Sequence, residues 1–290
     1  MSSVLVTGGS GYIGSCLALL LRKEGYNVTV FDVREPAVDV GYINGDITDK
    51  ALVQTVAAEF DSVVHLAAIA GYPACDKDPD KAWKTNVEGT ENIRSAGKPL
   101  VFASALSSYG EQAMLEIDET VPLNPKSVYA RTKSDAEGLV QREGAVILRF
   151  ASVFGVSPRM RWDLLVNDFV HRAVKTGKIE LYEEHVRRDF LHVGDAAKSI
   201  LFALKHFAGM AGDVFNVTGV NVTKRELASI IARFLKVEIL PTAGADQEKR
   251  NFIFSSQKIR SLGFIPSYTL EHGVKELIDA ARSEPDIRGG

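Results

Sequence analysis

Apolar positions in the first 150 residues fall into two alternating rhythms. Short runs rich in β-branched residues recur at Ser3-Val4-Leu5-Val6-Thr7, Asn27-Val28-Thr29-Val30-Phe31, Ser62-Val63-Val64-His65-Leu66, Pro99-Leu100-Val101-Phe102-Ala103 and Ala145-Val146-Ile147-Leu148. Each reads as a buried strand. Between them, Cys16, Leu17, Leu20 and Leu21, and later Leu52, Val53, Val56 and Ala57, repeat at helical spacing. Residues 79–97 and 127–142 also read as helices. The alternation predicts a mostly parallel sheet covered on both faces, with about six strands by residue 150.

After residue 155 the rhythm changes. Leu164, Leu165, Phe169, Val170 and Val174 mark one face of a helix, and Leu270 to Ala281 another. Thr223-Lys224-Arg225-Glu226 predicts a capping box opening a helix with Leu227, Ile230, Ile231 and Phe234 inward. This second region is smaller and has to pack on the first.

Composition narrows the classes of function. The chain has 290 residues, 46% hydrophobic and 24% charged, as in an ordinary globular protein. Its net charge of −3 offers no global attraction for nucleic acid or an anionic membrane. No apolar run approaches the ~20 residues that span a bilayer, and Met1-Ser2-Ser3 precedes the first strand with no signal-peptide pattern. Two cysteines, Cys16 and Cys75, make no disulfide framework and point to a reducing, cytoplasmic setting. His171, His185, His192, His206 and His272 lack ligand spacing, so no metal is expected.

Two motifs carry chemistry. Gly8-Gly9-Ser10-Gly11-Tyr12-Ile13-Gly14 lies between the first strand and the first helix. Glycines there let backbone and helix N terminus approach a pyrophosphate. Asp32, at the end of the second strand, is placed to accept hydrogen bonds from a ribose. An acid there repels a 2′-phosphate, so NAD is favoured over NADP, although Arg34 leaves room for the latter. The second motif is Tyr129-Ala130-Arg131-Thr132-Lys133. Four residues of separation put Tyr129 and Lys133 on one helix face, where a nearby ammonium favours the phenolate of a group whose usual pKa is about 10.

With these motifs in place, the chain resembles the extended short-chain dehydrogenase/reductases, in particular the NAD-dependent nucleotide-sugar epimerase/dehydratase group. The matching residues are Thr7–Gly14, Asp32, Gly45-Asp46-Ile47, His65-Leu66-Ala67-Ala68, Asn86–Thr90, Tyr109-Gly110, Tyr129 with Lys133, Leu148-Arg149-Phe150, Val153-Phe154-Gly155, Arg188-Asp189-Phe190 and Phe215-Asn216-Val217. The resemblance implies a Rossmann-type doubly wound parallel sheet with a smaller C-terminal α/β substrate-binding domain. The NAD-binding domain would take residues 1–155 and also 188–217, and the cap 156–187 and 218–290. To the cofactor it assigns Gly8, Gly11, Tyr12, Ile13, Gly14, Asp32, Asp46, Ile47, Leu66, Ala67, Ala68, Tyr129, Lys133 and Phe150. Tyr129 would exchange a proton with a sugar hydroxyl and Lys133 would hold the nicotinamide ribose. Arg188 and Arg250 would bind the substrate diphosphate, with Arg159 and Arg161 flanking sugar or diphosphate. The family habit is a homodimer built on the helices near 79–97 and 127–142.

This chain departs from the family at one functional position. Relatives carry Ser or Thr four residues before the tyrosine of Tyr109-Gly110, and here that residue is Ala105. Ser104 and Ser107 are the candidate substitutes. Ser107 is preferred because an offset of two would keep it on the strand face of Ala105. Leu106 and Ser107 occupy positions where sugar 4,6-dehydratases carry Asp-Glu, and Ser152 stands where many epimerases carry Asn. The expected function is a nucleotide-sugar epimerase acting at C4 on a UDP-sugar such as UDP-glucose or UDP-galactose, through a transient keto-sugar. The alternatives are a dehydratase, a net NAD(P)-dependent dehydrogenase or ketoreductase, and a weakly active or non-catalytic NAD-binding variant.

Overall fold

The computed structural model describes residues 2–244 and 252–284. Its main sheet has seven strands: β1 (Ser3–Thr7), β2 (Asn27–Asp32), β3 (Gly41–Asn44), β4 (Ser62–His65), β5 (Leu100–Ala105), β6 (Val146–Phe150) and β7 (Val214–Val217). They lie in the order β7-β6-β5-β4-β1-β2-β3, and every neighbouring pair is parallel. The chain winds outward from β1 to β3, then restarts at β4 on the other side of β1, so the order reverses between β1 and β4. Helices on both faces of a parallel sheet require strands apolar on both sides. Val4 and Val6 enter one core with Val28, Val30, Val64 and Val101, whereas Leu5 enters the opposite core with Phe31, Val63 and Phe102.

The helix Tyr12–Lys23 covers the first core together with Val193–Lys205, whose Ile200 and Ala197 are buried there. Lys50–Ala58, Gly89–Arg94 and Val128–Gln141 cover the second. The edge strand β3 has no fully buried residue. That is why the apolar pattern suggested a sixth strand by count and did not locate it.

The stretch read as one helix over 79–97 is divided. Pro79–Trp83 is α-helical, Lys84–Glu88 is a π-helical turn and Gly89–Arg94 resumes the α-helix. A π turn inserts one residue and rotates the helix beyond it; here it aims the Asn86 side chain at the backbone of Ile69.

A third apolar core belongs to the C-terminal half. Helices Leu165–Thr176, Lys224–Ala232 and Leu270–Ser283 bury Phe169, Val170, Leu227, Ile231, Val274 and Leu277 against Phe154 and Phe190. The capping box at Thr223 forms, with the Thr223 hydroxyl accepting from Glu226 N and the Glu226 carboxylate from Thr223 N. Ile230 and Phe234 are only partly buried beside that core. Arg187–His192 pairs with Ser152–Phe154 and Val220–Thr223 in a small separate sheet. The chain then returns to the main sheet through Val193–Lys205 and β7. No helix among the described residues is long and apolar enough to cross a membrane.

Candidate active site

The sequence-predicted residues gather at one edge of the sheet because most of them directly follow a parallel strand. Gly8 follows β1, Asp32 ends β2, Asp46 and Ile47 follow β3, Leu66 to Ala68 follow β4, Ser107 follows β5, and Phe150 ends β6. In an open α/β sheet this carboxyl edge, at the point where strand order reverses, is where ligands bind.

Gly8 and Gly14 have no room for a side chain. Gly8 has φ +71°, and a Cβ there would lie 2.5 Å from Ala67 N. One at Gly14 would lie 2.4 Å from Gly8 O. At Gly11, the N-cap residue, a Cβ would meet only Gly8 O, at 3.1 Å, and otherwise occupy the approach to the helix end. The first turn of Tyr12–Lys23 carries no acidic residue, so the partial positive charge at its N terminus stays available to an anion. Ile13 is partly buried against the first core. Asp32 is held in place by Ser10 N on Oδ2 and Arg34 N on Oδ1, each at 3.1 Å. Ile47 is buried under Gly89 and Asp46 is exposed, accepting from Thr48 N. A tight glycine turn at a helix N terminus and a fixed carboxylate at the end of β2 fit a dinucleotide such as NAD.

Tyr129 and Lys133 stand one turn apart on the helix Val128–Gln141, whose first turn is capped by the Ser127 hydroxyl accepting from Ala130 N. Burial pushes the Tyr129 phenol well above its ordinary value, with the Arg161 charge acting the other way. Burial also pushes Lys133 down to about 7, opposed by the nearby Glu137 carboxylate. The Lys133 ammonium lies 4.0 Å over the ring of Phe102, which favours its charged form. One further turn along the same face, Glu137 forms a buried pair with Arg149, which also donates to the Tyr109 hydroxyl. That hydroxyl in turn donates to Asn216 Oδ1 at 2.9 Å. This network ties the Tyr129 helix to β6 and β7.

Other groups that place the pair were not assigned roles from sequence. Asn86 Oδ1 accepts from Ile69 N, and its Nδ2 donates to Ile69 O and Thr132 Oγ1, joining the loop after β4 to the Tyr129 helix. Tyr72 meets the Tyr129 ring edge-on at 6.2 Å. The buried Cys75 thiol donates to Ile69 O at 3.2 Å, and burial raises its pKa to about 11. Because the Thr90 hydroxyl proton goes to Asn86 O, His65 Nε2 must be the donor to Thr90, and Nδ1 then accepts from Thr7. Burial lowers His65 to about 3, so it stays neutral. His65, Asn86 and Thr90 carried a signal in the family motifs they belong to, whereas Tyr72, Cys75 and Glu137 stood in none of the motifs.

The hydroxyl substitution differs from the expectation. β5 ends at Ala105, and Ser107 lies in the 3₁₀ turn Leu106–Tyr109, so the strand alternation that favoured Ser107 does not apply. The turn nevertheless packs on the Tyr129 helix, where Ser108 Oγ reaches Ala130 O at 3.5 Å. Ser104 Oγ and Ser107 Oγ are buried and have no hydrogen-bond partner among the described residues. Such orphaned hydroxyls cost stability, and a ligand oxygen would satisfy them.

The arginines separate. Arg161, gripped by Asp163 through two 2.6 Å bonds, lies close enough to Tyr129 for its charge to be felt there. Arg159 does not join it: its guanidinium donates to Ser10 O and Glu35 O, beside Asp32. The two arginines, expected to flank sugar or diphosphate together, thus reach different surroundings. The reason is that the segment after Ser157 turns back over the glycine turn. Arg188 lies on the small sheet opposite Val222, and the same sheet carries the exposed Ser152. Arg250 lies outside the described residues.

The sequence of residues 4–218 matches the model of the NAD dependent epimerase/dehydratase family. A UDP-glucose 4-epimerase of Lactobacillus helveticus is 30% identical, over 91% of this chain and 92% of its own. The crystal structure of Thermus thermophilus UDP-glucose 4-epimerase in complex with NAD superposes with a TM-score of 0.84 at 29% identity, covering 97% of this chain and 99% of that one. The Thermotoga maritima UDP-glucose 4-epimerase shares the fold, with a TM-score of 0.88 at 24% identity and coverage of 97% and 98%.

Proposed function

The chain belongs to the NAD dependent epimerase/dehydratase family, and from that premise we propose that it is an NAD-dependent nucleotide-sugar 4-epimerase. Its substrate is a UDP-sugar such as UDP-glucose or UDP-galactose. The observation that carries the reading is the site around Tyr129: a phenol and a buried ammonium one turn apart on a helix, beside two buried hydroxyls on β5 and the turn after it that have no partner among the described residues. The activity of the Lactobacillus helveticus relative supports the choice of sugar position. When bound, the dinucleotide supplies acceptance and return of the C4 hydride. Tyr129 takes the C4 hydroxyl proton to give a keto-sugar and returns it to the epimeric alcohol. Lys133 stabilises the phenolate and holds the nicotinamide ribose. Residues 1–155 and 188–217 bear the cofactor, and 156–187 with 218–290 form the substrate cap, where Arg161 and Arg188 serve the diphosphate and Ser152 the sugar. Leu106 and Ser107 supply no acid–base pair for elimination, which disfavours a 4,6-dehydratase.

The test is to incubate the protein with NAD and UDP-, dTDP-, GDP- or CDP-sugars and follow products by chromatography. Epimer formation without sustained absorbance of reduced nicotinamide is the expected result; steady accumulation of reduced cofactor would instead identify a net oxidoreductase. Ala105 favours a second reading, a dinucleotide-binding protein with weak or no turnover, which tight NAD binding without conversion of any sugar would establish. Ser107 serves as the substitute donor. Ser107→Ala is expected to lower kcat roughly ten- to a thousandfold, and Ala105→Thr to raise it. Unchanged turnover in both removes this assignment.

The protein acts as a homodimer in a reducing, cytoplasmic compartment, consistent with its free Cys16 and Cys75. Trp83, 45% exposed, lines a depression of 580 Å³ with Val128, Arg131 and Asp135 between the two helical segments the family uses for dimerisation. Trp83→Glu is expected to halve the mass measured by sedimentation equilibrium.

A further inference from the structure

The segment from Gly155 to Arg161 crosses from the cap back over the start of the glycine-turn helix. The Tyr12 hydroxyl donates to Gly155 O at 2.5 Å, and Ser157 Oγ donates to Tyr12 O at 2.7 Å. The near end of this strap is tied to the cap: Glu276 Oε1 accepts from Val156 N at 2.8 Å and from His192 Nε2 at 2.7 Å. Its far end is tied to the cofactor side. Arg159 N donates to Ser157 Oγ, and the side chain spans 149 residues of sequence to donate from Nε to Ser10 O at 3.2 Å. Nη2 donates to Glu35 O at 3.1 Å. Ser10 is part of the frame that holds Asp32, through Ser10 N on Oδ2 and Ser10 Oγ on Arg34 O.

We infer that Arg159 is a cofactor-retaining residue: a clasp that pins the strap across the adenosine half of the dinucleotide and donates to its ribose or phosphate oxygens. A guanidinium has five N–H groups in a rigid fork. Two are used on carbonyls, and among the described residues Nη1 donates to none, which leaves donors for anionic or hydroxyl oxygens. An epimerase that regains its oxidised cofactor in every cycle has no need to release it, so a closed clasp does not slow turnover. The inference rests on the dinucleotide reading of the glycine turn and adds a residue to it.

The experiment measures release of the fluorescent analogue etheno-NAD, chased with excess unlabelled NAD. Arg159→Ala is expected to release it roughly 10- to 100-fold faster than the unaltered protein, the scale of lost charge-assisted hydrogen bonds. Arg159→Lys, which keeps the charge and loses the fork, is expected to fall between. Arg172→Ala, exposed on the helix Leu165–Thr176, is expected to release it at the unaltered rate. Thermal unfolding of each variant checks that it is folded. Release from both Arg159 variants at the unaltered rate, with a raised sugar KM, overturns the clasp and makes Arg159 a substrate residue. Failure of the unaltered protein to bind etheno-NAD overturns the dinucleotide site itself, and the clasp with it.

Discussion

Tyr129→Phe is expected to lower kcat for epimerisation by about a thousandfold, within the range for loss of a positioned acid–base group, while leaving dinucleotide binding nearly unchanged. The aromatic ring would remain, so its edge contact with Tyr72 and its place after the Ser127 cap survive. What disappears is the one hydroxyl at this position able to take the C4 proton. A burial-raised phenol is a reluctant base, which makes the charge of its neighbours decisive. Arg161 supplies one such charge. Measuring kcat and NAD affinity on the same preparation separates the outcomes. Near-normal turnover with intact NAD binding would remove Tyr129 from the chemistry.

Lys133→Met has the second large effect, in opposite directions on activity and stability. Loss of the ammonium is expected to reduce kcat at least about a hundredfold and to weaken NAD binding. Stability is expected to rise. Burial lowers Lys133 from 10.5 to about 7 in the folded protein, so between these values the unfolded chain binds a proton that the folded chain does not. Stability of the unaltered protein therefore increases with pH across that window, and the penalty is largest below pH 7. Removing the group should stabilise the protein by roughly 2–4 kcal/mol at pH 6.5, with the difference narrowing toward pH 10.5. Denaturant titrations at both pH values test it. A variant less stable than the unaltered protein at pH 6.5 would show that the contact with Phe102 and the Glu137 charge outweigh burial. Retaining a costly buried cation is understandable where function needs it.

Much of this molecule was legible from local pattern. The β-branched runs placed five strands of the main sheet, and the separation of Tyr129 from Lys133 put them on one helix face. The edge strand β3 escaped because none of its residues is fully buried, so it leaves no apolar signature. The π turn at Lys84–Glu88 escaped because one extra residue in a helix does not alter hydrophobic periodicity enough to be read. Strand alternation does not reach Ser107, because β5 ends two positions earlier and the chain enters a 3₁₀ turn.

The sequence by itself determined the fold class, the glycine turn with Asp32, and the Tyr129–Lys133 pair, since these depend on spacing within a few residues. Tertiary structure alone decided the rest. It separated Arg159 from Arg161, two positions apart in the chain, sending one to the backbone beside Asp32 and the other toward Tyr129. It left Ser104 and Ser107 without partners and drove the phenol and ammonium toward their neutral forms. The physical reason is range. Element formation follows from backbone geometry and short-period burial, whereas desolvation and contacts across 149 residues exist only once the distant segments have packed together.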